Sequence, residues 1–169
     1  MEKEIKIYNY GLSELKTYLF VSLFVAGNVL LPQVCHIIPD GGKIFLPIYF
    51  FTLMASYKYG FKVGLLTAVL SPIVNSLIFG MPTIAILPAI LIKSIVLAIA
   101  ASLVSSKTQK ASIISLLIVI MIYQVVGTIA EWVMTSSFYV AIQDFRLGIP
   151  GMMLQLFGTY FILIISKDK

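Results

Sequence analysis

Two long apolar runs joined by a tight turn constrain this fold more than any other feature of the chain. The runs lie within residues 61–105 and meet at Gly80-Met81-Pro82. Each is about 20 residues long, the length that a helix needs to cross a hydrocarbon core of roughly 30 Å. Lys93 lies near the middle of the second run, where a cation costs roughly 3 kcal/mol or more on insertion scales. The sequence therefore predicts a membrane hairpin in which Lys93 faces a polar partner or a wet cavity.

The overall composition is that of an integral membrane protein. Of the 169 residues, 60% are hydrophobic and 11% are charged, whereas soluble domains are roughly 45–50% apolar and 25% charged. Backbone groups in lipid must be satisfied internally, so only helices or closed barrels cross a bilayer. Continuous rather than alternating apolar runs favour helices. The net charge of +5 comes from basic residues beside these runs, which indicates membrane topology rather than nucleic-acid binding.

The alternation of apolar runs with turn residues predicts one transmembrane domain over residues 1–169. We expect an all-α membrane protein with six transmembrane helices and an interfacial segment over residues 1–12. Turn chemistry at Pro39-Asp40-Gly41-Gly42 separates the first two helices. The second helix is short for a full crossing. The expected helices span about 13–34, 44–57, 61–79, 83–104, 111–135 and 149–165.

Six crossings place both termini on one side, and the basic residues indicate which side. Of the 12 Lys and Arg residues, nine fall in segments on the side of the termini, two fall in loops on the other side, and one lies within a helix. The nine are Lys3, Lys6, Lys16, Lys58, Lys62, Lys107, Lys110, Lys167 and Lys169. Because basic residues concentrate in cytoplasmic segments, both termini are predicted to be cytoplasmic, in a bacterial cell membrane.

In this orientation the polar side chains collect in the outer half of the bundle. Gln124 and Glu131 share one face of the fifth helix, since seven residues make about two turns. Lys93 is expected about 15 Å below the start of the fourth helix, at 1.5 Å per residue. A polar cup above an apolar floor is typical of a binding site rather than a channel. The candidate binding residues are Asp40, Lys43, Asn75, Lys93, Gln124, Glu131, Trp132, Asp144 and Arg146.

Simpler explanations remain open for several of these residues. Trp132 is compatible with an aromatic belt at the membrane interface, and Glu131 with a solvated helix end. Asp144 and Arg146 are close enough in sequence to pair with each other on a loop. His36 is interpreted as a loop residue rather than a metal ligand. Lys93 is harder to explain in this way, because its stem reaches the interface poorly from a helix centre.

The sequence gives no indication of catalysis. It contains no HExxH, GxSxG or Walker motif, so we expect neither an enzyme nor an ATPase. Cys35 is the only cysteine, which excludes an intrachain disulfide and a CxxC metal pair. We expect no metal and no cofactor.

Small residues on the first helix form a candidate docking surface. Ser22, Ala26 and Gly27 stand at the small-xxx-small spacing that lets a second helix approach closely. Packing within the bundle is the alternative explanation of these residues.

A longer segment carries a resemblance to a known family. The segment Leu46–Pro82 reads LPIYFFTLMASYKYGFKVGLLTAVLSPIVNSLIFGMP. Together with the chain length and the six helices, it resembles the substrate-binding S components of energy-coupling factor (ECF) vitamin transporters. In those proteins a proline-containing second helix, a tyrosine-glycine turn and a proline-bearing third helix ending in Gly-Met-Pro occur in this order. The matching positions are Pro47, Tyr59-Gly60, Pro72 and Gly80-Met81-Pro82.

The resemblance implies a protein that captures a small water-soluble vitamin or precursor outside the cell. It would dock on a membrane coupling subunit that is served by two ATPases, which would supply the energy for release inside. Ser22 and Ala26 occupy the spacing of the family's Ala-xxx-Ala docking pair. Family binding sites use the outer loops and the outer parts of helices 4 to 6. Those regions hold residues 36–43, Lys93, Gln124, Glu131, Trp132, Asp144 and Arg146.

Two other functional classes stay open at this point. One is a membrane scaffold of the rod-shape-determinant type, which needs partner contacts but no polar cup. The other is a solitary facilitator that works without ATPases. The substrate is not specified, although Lys93, Glu131 and Trp132 would suit a small heteroaromatic molecule such as a B6 vitamer or a pyrimidine precursor.

Overall fold

The computed structural model of the chain describes residues 2–166 and is mostly helical. Its elements are β1 (Glu2–Glu4), α1 (Leu15–Cys35), α2 (Gly41–Phe45), a 3-10 turn (Pro47–Tyr49), α3 (Phe50–Tyr59), α4 (Phe61–Phe79), α5 (Leu87–Thr108), β2 (Lys110–Ser112), α6 (Ile113–Thr135), α7 (Phe138–Ala141), α8 (Gln143–Leu147), α9 (Ile149–Met153), a π-helical turn (Leu154–Gly158) and α10 (Thr159–Ile165).

Four of these helices are long and apolar enough to cross a membrane. They are α1, α4, α5 and α6, with 21, 19, 22 and 23 residues. A shorter apolar helical segment runs over Ile149–Ile165. This finding confirms a mostly helical bundle of membrane type, while the six crossings stay a prediction.

The bundle carries large apolar side chains on its outer surface. On α6, Ile114, Leu117, Met121 and Val125 are all exposed. Polar side chains are buried instead, including Asn28 and Gln124. This distribution suits a lipid surrounding, where apolar surface carries no penalty and polar groups need internal partners.

Tyr57, Leu97, Leu116 and Leu163 form the centre of the main core, where α3, α5, α6 and α10 meet. Each of these four side chains is at most 1% exposed. A second cluster, which contains Phe24 and Val63, packs α1 against α3 and α4. Both clusters therefore fill the bundle with closely packed apolar side chains.

One end of the bundle is closed by a short two-stranded ribbon. Strand β1 pairs antiparallel with β2, with Lys3 opposite Ala111. The backbone N–H of Tyr8 donates to the carbonyl of Lys58 at 2.8 Å. The Lys58 Nζ donates to the Ser166 carbonyl at 2.7 Å, where a cation suits the carboxyl end of a helix. Both ends of the described chain therefore lie here, at what we call the ribbon end.

The structure differs from the sequence prediction at several boundaries. Helix α5 begins at Leu87 rather than near residue 83. The preceding residues form a turn, in which the Thr83 carbonyl accepts hydrogen bonds from the backbone N–H groups of Ile86 and Leu87. The expected helix over 44–57 is interrupted at Leu46, which has a φ of 46°. The ribbon is an addition to the all-α prediction, since strands so short carry no periodic signal. Lys167 and Lys169, which contributed to the topology prediction, lie outside the described residues.

Candidate functional site

A cavity of about 510 Å³ opens at the end of the bundle opposite the ribbon. Its walls come from the carboxyl ends of α1, α4 and α6, the first turns of α5, and the segments around α2 and α8. The turn that joins α4 to α5 contributes Met81, Pro82 and Thr83. Most of the lining surface is apolar, with polar and charged side chains placed within it, as in most small-molecule sites.

Three charged side chains meet at one wall of this cavity. The Lys93 Nζ donates to Glu131 Oε2 at 2.5 Å and to Asp144 Oδ2 at 2.8 Å. Lys93 is 3% exposed and Asp144 is 7% exposed. The expectation that Lys93 faces polar partners is confirmed. We call these three residues the charge triad, and it carries one net negative charge.

The position of Lys93 in α5 explains how its ammonium reaches the cavity. Helical side chains lean towards the amino end of their helix, and that end of α5 faces the cavity. Lys93 lies six residues into α5, which is about 9 Å at 1.5 Å per residue. The expected depth of about 15 Å was wrong because α5 starts later than predicted. Gly127 makes room for the lysine stem, since a Cβ there would overlap Lys93.

The two acidic partners come from different elements. Glu131 lies one turn beyond Gly127 on α6, and Asp144 lies in the short helix α8. The simpler explanation, in which Asp144 and Arg146 pair with each other, is wrong, because Asp144 pairs with Lys93. The Arg146 Nη2 instead donates to the Tyr139 hydroxyl at 2.6 Å, and Arg146 is exposed outside the cavity wall.

A second polar group lines the cavity on the α1 and α4 side. The Asn75 Nδ2 donates to the Asn28 carbonyl at 2.8 Å and to the Ser71 carbonyl at 3.0 Å. The Asn75 Oδ1 has no hydrogen-bond partner among the described residues, although Asn75 is only 1% exposed. Asn75 therefore lines the cavity, and its Oδ1 is a buried acceptor without a partner among the described residues.

Asn28 holds three helices together behind this wall. Its Nδ2 donates to Thr52 Oγ1 and to Ser71 Oγ, both at 3.0 Å. Its Oδ1 accepts from the backbone N–H of Phe51 at 3.2 Å. The sequence prediction missed Asn28, although an asparagine in the middle of an apolar run is the same kind of signal that singled out Lys93.

The rim of the cavity carries an exposed ion pair and a histidine. The Lys43 Nζ lies 2.9 Å from Asp40 Oδ1. His36, which we interpreted as a loop residue, caps the carboxyl end of α1 and also lines the cavity. The structure therefore places six predicted residues at this cavity: Asp40, Lys43, Asn75, Lys93, Glu131 and Asp144.

Gln124 and Trp132 lie outside the cavity wall. The Gln124 Nε2 donates to the Tyr123 hydroxyl at 3.1 Å, and that hydroxyl donates to Gln155 Oε1 at 2.8 Å. The Tyr123 ring contacts Tyr49, whose side chain lines the cavity. Gln124 thus supports the wall from behind. Trp132 is 47% exposed on the outer surface.

Several lining residues had no distinguishing pattern in the sequence. Tyr49, Ile86, Ala89 and Ile90 belong to apolar runs like any other. Their place in the wall depends on the break at Leu46 and on the late start of α5. Neither feature is encoded by local hydrophobic periodicity.

The candidate docking residues on α1 point in two directions. Ser22 and Ala26 are exposed on the outer face of α1. Gly27 faces α3, where an added Cβ would stand 2.7 Å from the Phe51 ring. Gly27 therefore serves packing within the bundle rather than an outer docking face.

Among residues 2–166, no group of three or more His, Cys, Asp and Glu side chains is arranged to hold a metal ion. No protein-family model, curated protein or solved structure matches the chain.

Proposed function

We propose that the protein is the substrate-binding subunit of a membrane uptake system for a small water-soluble vitamin or vitamin precursor. The observation that carries this proposal is the cavity of about 510 Å³ with the charge triad in its wall. A buried charge cluster in a membrane-type bundle is costly. A polar ligand that enters the cavity would form hydrogen bonds with these groups, and these bonds would offset part of that free-energy cost.

The packing below the cavity favours binding over passive conduction. Between the cavity and the ribbon end lies the core around Tyr57, Leu97 and Leu116, where each side chain is fully buried. A channel needs polar groups along its whole path. A cup with an apolar floor instead requires a conformational step driven from elsewhere.

The proposed topology has six crossings, with the two shorter ones supplied by the 47–59 and 149–165 segments. Both termini would be cytoplasmic in a bacterial cell membrane. Support comes from the basic residues at the ribbon end, such as Lys3, Lys107 and Lys110, since cytoplasmic segments are rich in Lys. The cavity would then face the outside, where a nutrient is captured.

The proposed partners are a membrane coupling subunit and two ATPase subunits. Ser22 and Ala26 on the outer face of α1 are the candidate contact with the coupling subunit, because small exposed residues allow close approach of another helix. The chain has no Walker motif, so the energy for transport would come from the partner subunits.

Ligand extraction followed by transport tests this proposal. The purified protein is extracted and the released molecules are identified by mass spectrometry. Uptake of the identified molecule is then measured in cells that express the protein with and without the ATP-driven module. We expect a released small polar molecule and uptake only with the module. A protein that releases nothing supports the scaffold alternative, and uptake without the module supports the facilitator.

A further inference from the structure

We propose that the cavity selects an organic cation that carries N–H donors, such as an amine, an amidine or an aminated heterocycle. This inference rests on the proposed binding function and narrows its substrate class. It is carried by the charge balance of the cavity wall and by the acceptor atoms that remain unused there.

The cavity wall carries more negative than positive charge. Its carboxylates are Asp40, Glu131 and Asp144, and its ammonium groups are Lys43 and Lys93. Asp40 and Lys43 neutralise each other at the exposed rim. The surplus negative charge therefore lies in the charge triad, where low solvent exposure preserves its effect on a ligand.

The unused hydrogen-bonding atoms of the charge triad are mainly acceptors. Lys93 binds one oxygen of Glu131 and one oxygen of Asp144, so each carboxylate keeps a second oxygen that accepts no hydrogen bond within the described chain. Asn75 lines the same cavity, and its Oδ1 is a further acceptor without a hydrogen-bond partner among the described residues, although this oxygen is itself buried. A ligand with several N–H groups satisfies acceptors of this kind, because buried acceptors without partners are unfavourable.

An anionic ligand finds a much poorer match in this wall. Lys93 is the cation inside the cavity, and it already contacts two carboxylates. A carboxylate or phosphate placed beside Lys93 would approach Glu131 and Asp144 as well, and like charges at short range repel strongly. An organic cation meets attraction from both carboxylates, and the lining Tyr49 adds an aromatic ring of the kind that favours cations.

Three probes of similar size and shape separate these alternatives. Benzamidine is a cation with N–H donors, benzyl alcohol is neutral, and benzoate is an anion. The protein is embedded in lipid nanodiscs, and its midpoint of thermal unfolding is measured against millimolar concentrations of each probe, with empty nanodiscs as the blank. A ligand that binds the folded state raises this midpoint, which gives a dissociation constant.

We expect benzamidine to raise the midpoint and benzoate to leave it unchanged. Glu131→Gln and Asp144→Asn keep the size of the side chain and remove its charge, so each should weaken benzamidine binding at least tenfold. Glu14→Gln is the matched control, since it removes an exposed carboxylate at the amino end of α1, which lies outside the cavity wall. It should change benzamidine binding less than threefold.

Three results would overturn the inference in distinguishable ways. If benzoate or benzyl alcohol raises the midpoint at least as much as benzamidine, the cavity binds small molecules but does not select cations, and the proposed function stands. If none of the probes raises it, the inference fails, whereas the proposed binding function is decided separately by ligand extraction and uptake. Benzamidine binding that neither Glu131→Gln nor Asp144→Asn weakens also contradicts the role of the triad.

Discussion

The Lys93 ammonium is tolerated in a buried position because two carboxylates pair with it. The ammonium lies 2.5 Å from Glu131 Oε2 and 2.8 Å from Asp144 Oδ2. Loss of one carboxylate leaves a neutral pair, whereas loss of Lys93 leaves two negative charges side by side. The three members of the triad therefore contribute unequally to stability, and loss of the lysine is expected to be the most destabilising.

Lys93→Met should accordingly lower the free energy of unfolding by about 3 kcal/mol, the usual cost of leaving buried charges unpaired. Glu131→Gln should cost less, because Lys93 keeps Asp144. Reversible unfolding in mixed micelles measures both. The control is Lys43→Met at the exposed rim pair, where about 0–1 kcal/mol is expected. Equal losses of unfolding free energy in Lys93→Met and Lys43→Met would show that the triad stabilises the protein no more than an exposed ion pair does.

Individual residues also show how far sequence reasoning reaches. Lys93, Glu131 and Asn75 stood out because charged or amide side chains are rare inside apolar runs, and all three line the cavity. Gln124 stood out for the same reason, and Trp132 stood out as an aromatic side chain next to Glu131, but both lie outside the cavity wall. The depth of Lys93 along its helix was overestimated, because the 1.5 Å rise gives a depth only from the true start of the helix. The direction of a side chain around the helix depended on packing that no local pattern specifies.

At the scale of elements, helix length was easier to predict than helix breaks. The predicted bounds of 61–79 are those of α4, because Gly60 and Gly80 both have positive φ and mark its ends. The break at Leu46 was missed, since a positive φ at a leucine is imposed by tertiary packing rather than by local preference. The pairing of β1 with β2 was missed because its partners lie more than 100 residues apart.

The Asn28 network makes α1 depend on α3 and α4. We expect Asn28→Ala to cost about 2 kcal/mol of unfolding free energy, because Thr52, Ser71 and the Phe51 N–H lose their partner. Gln33→Met on the same helix is the control, since the Gln33 Nε2 has no hydrogen-bond partner among the described residues. It should be close to neutral. A larger loss for Gln33→Met than for Asn28→Ala would contradict the role of the network.

The outer face of α1 is the element proposed to contact a coupling subunit. Ser22→Leu and Ala26→Leu should each reduce co-purification with that subunit at least tenfold, because a bulky side chain separates helices that approach closely. Both residues are exposed, so unfolding should stay unchanged. Leu30→Phe on the same helix is exposed as well and serves as the control. Unchanged co-purification in both leucine variants would show that the coupling subunit does not contact this face of α1.

At the scale of the whole molecule, charge placement predicts orientation. A single-cysteine series in a Cys35→Ala background tests it in intact cells with a membrane-impermeant thiol reagent. Pro39→Cys at the cavity end should label from outside, and Lys107→Cys at the ribbon end should label only after lysis, because both positions are exposed. Labelling of Lys107→Cys in intact cells would reverse the orientation.

Occupancy of the cavity is the central claim, and a residue that fills the cavity tests it directly. Ala89 lines the wall one turn before Lys93 and is 6% exposed, so Ala89→Phe should occupy the space that a ligand needs. Leu103→Phe, on the exposed surface of α5, is the matched control. Native mass spectrometry of protein released from nanodiscs should show a small-molecule adduct on the wild type and on Leu103→Phe, but not on Ala89→Phe. An adduct that persists in Ala89→Phe, or is absent from all three proteins, would contradict a binding site in this cavity.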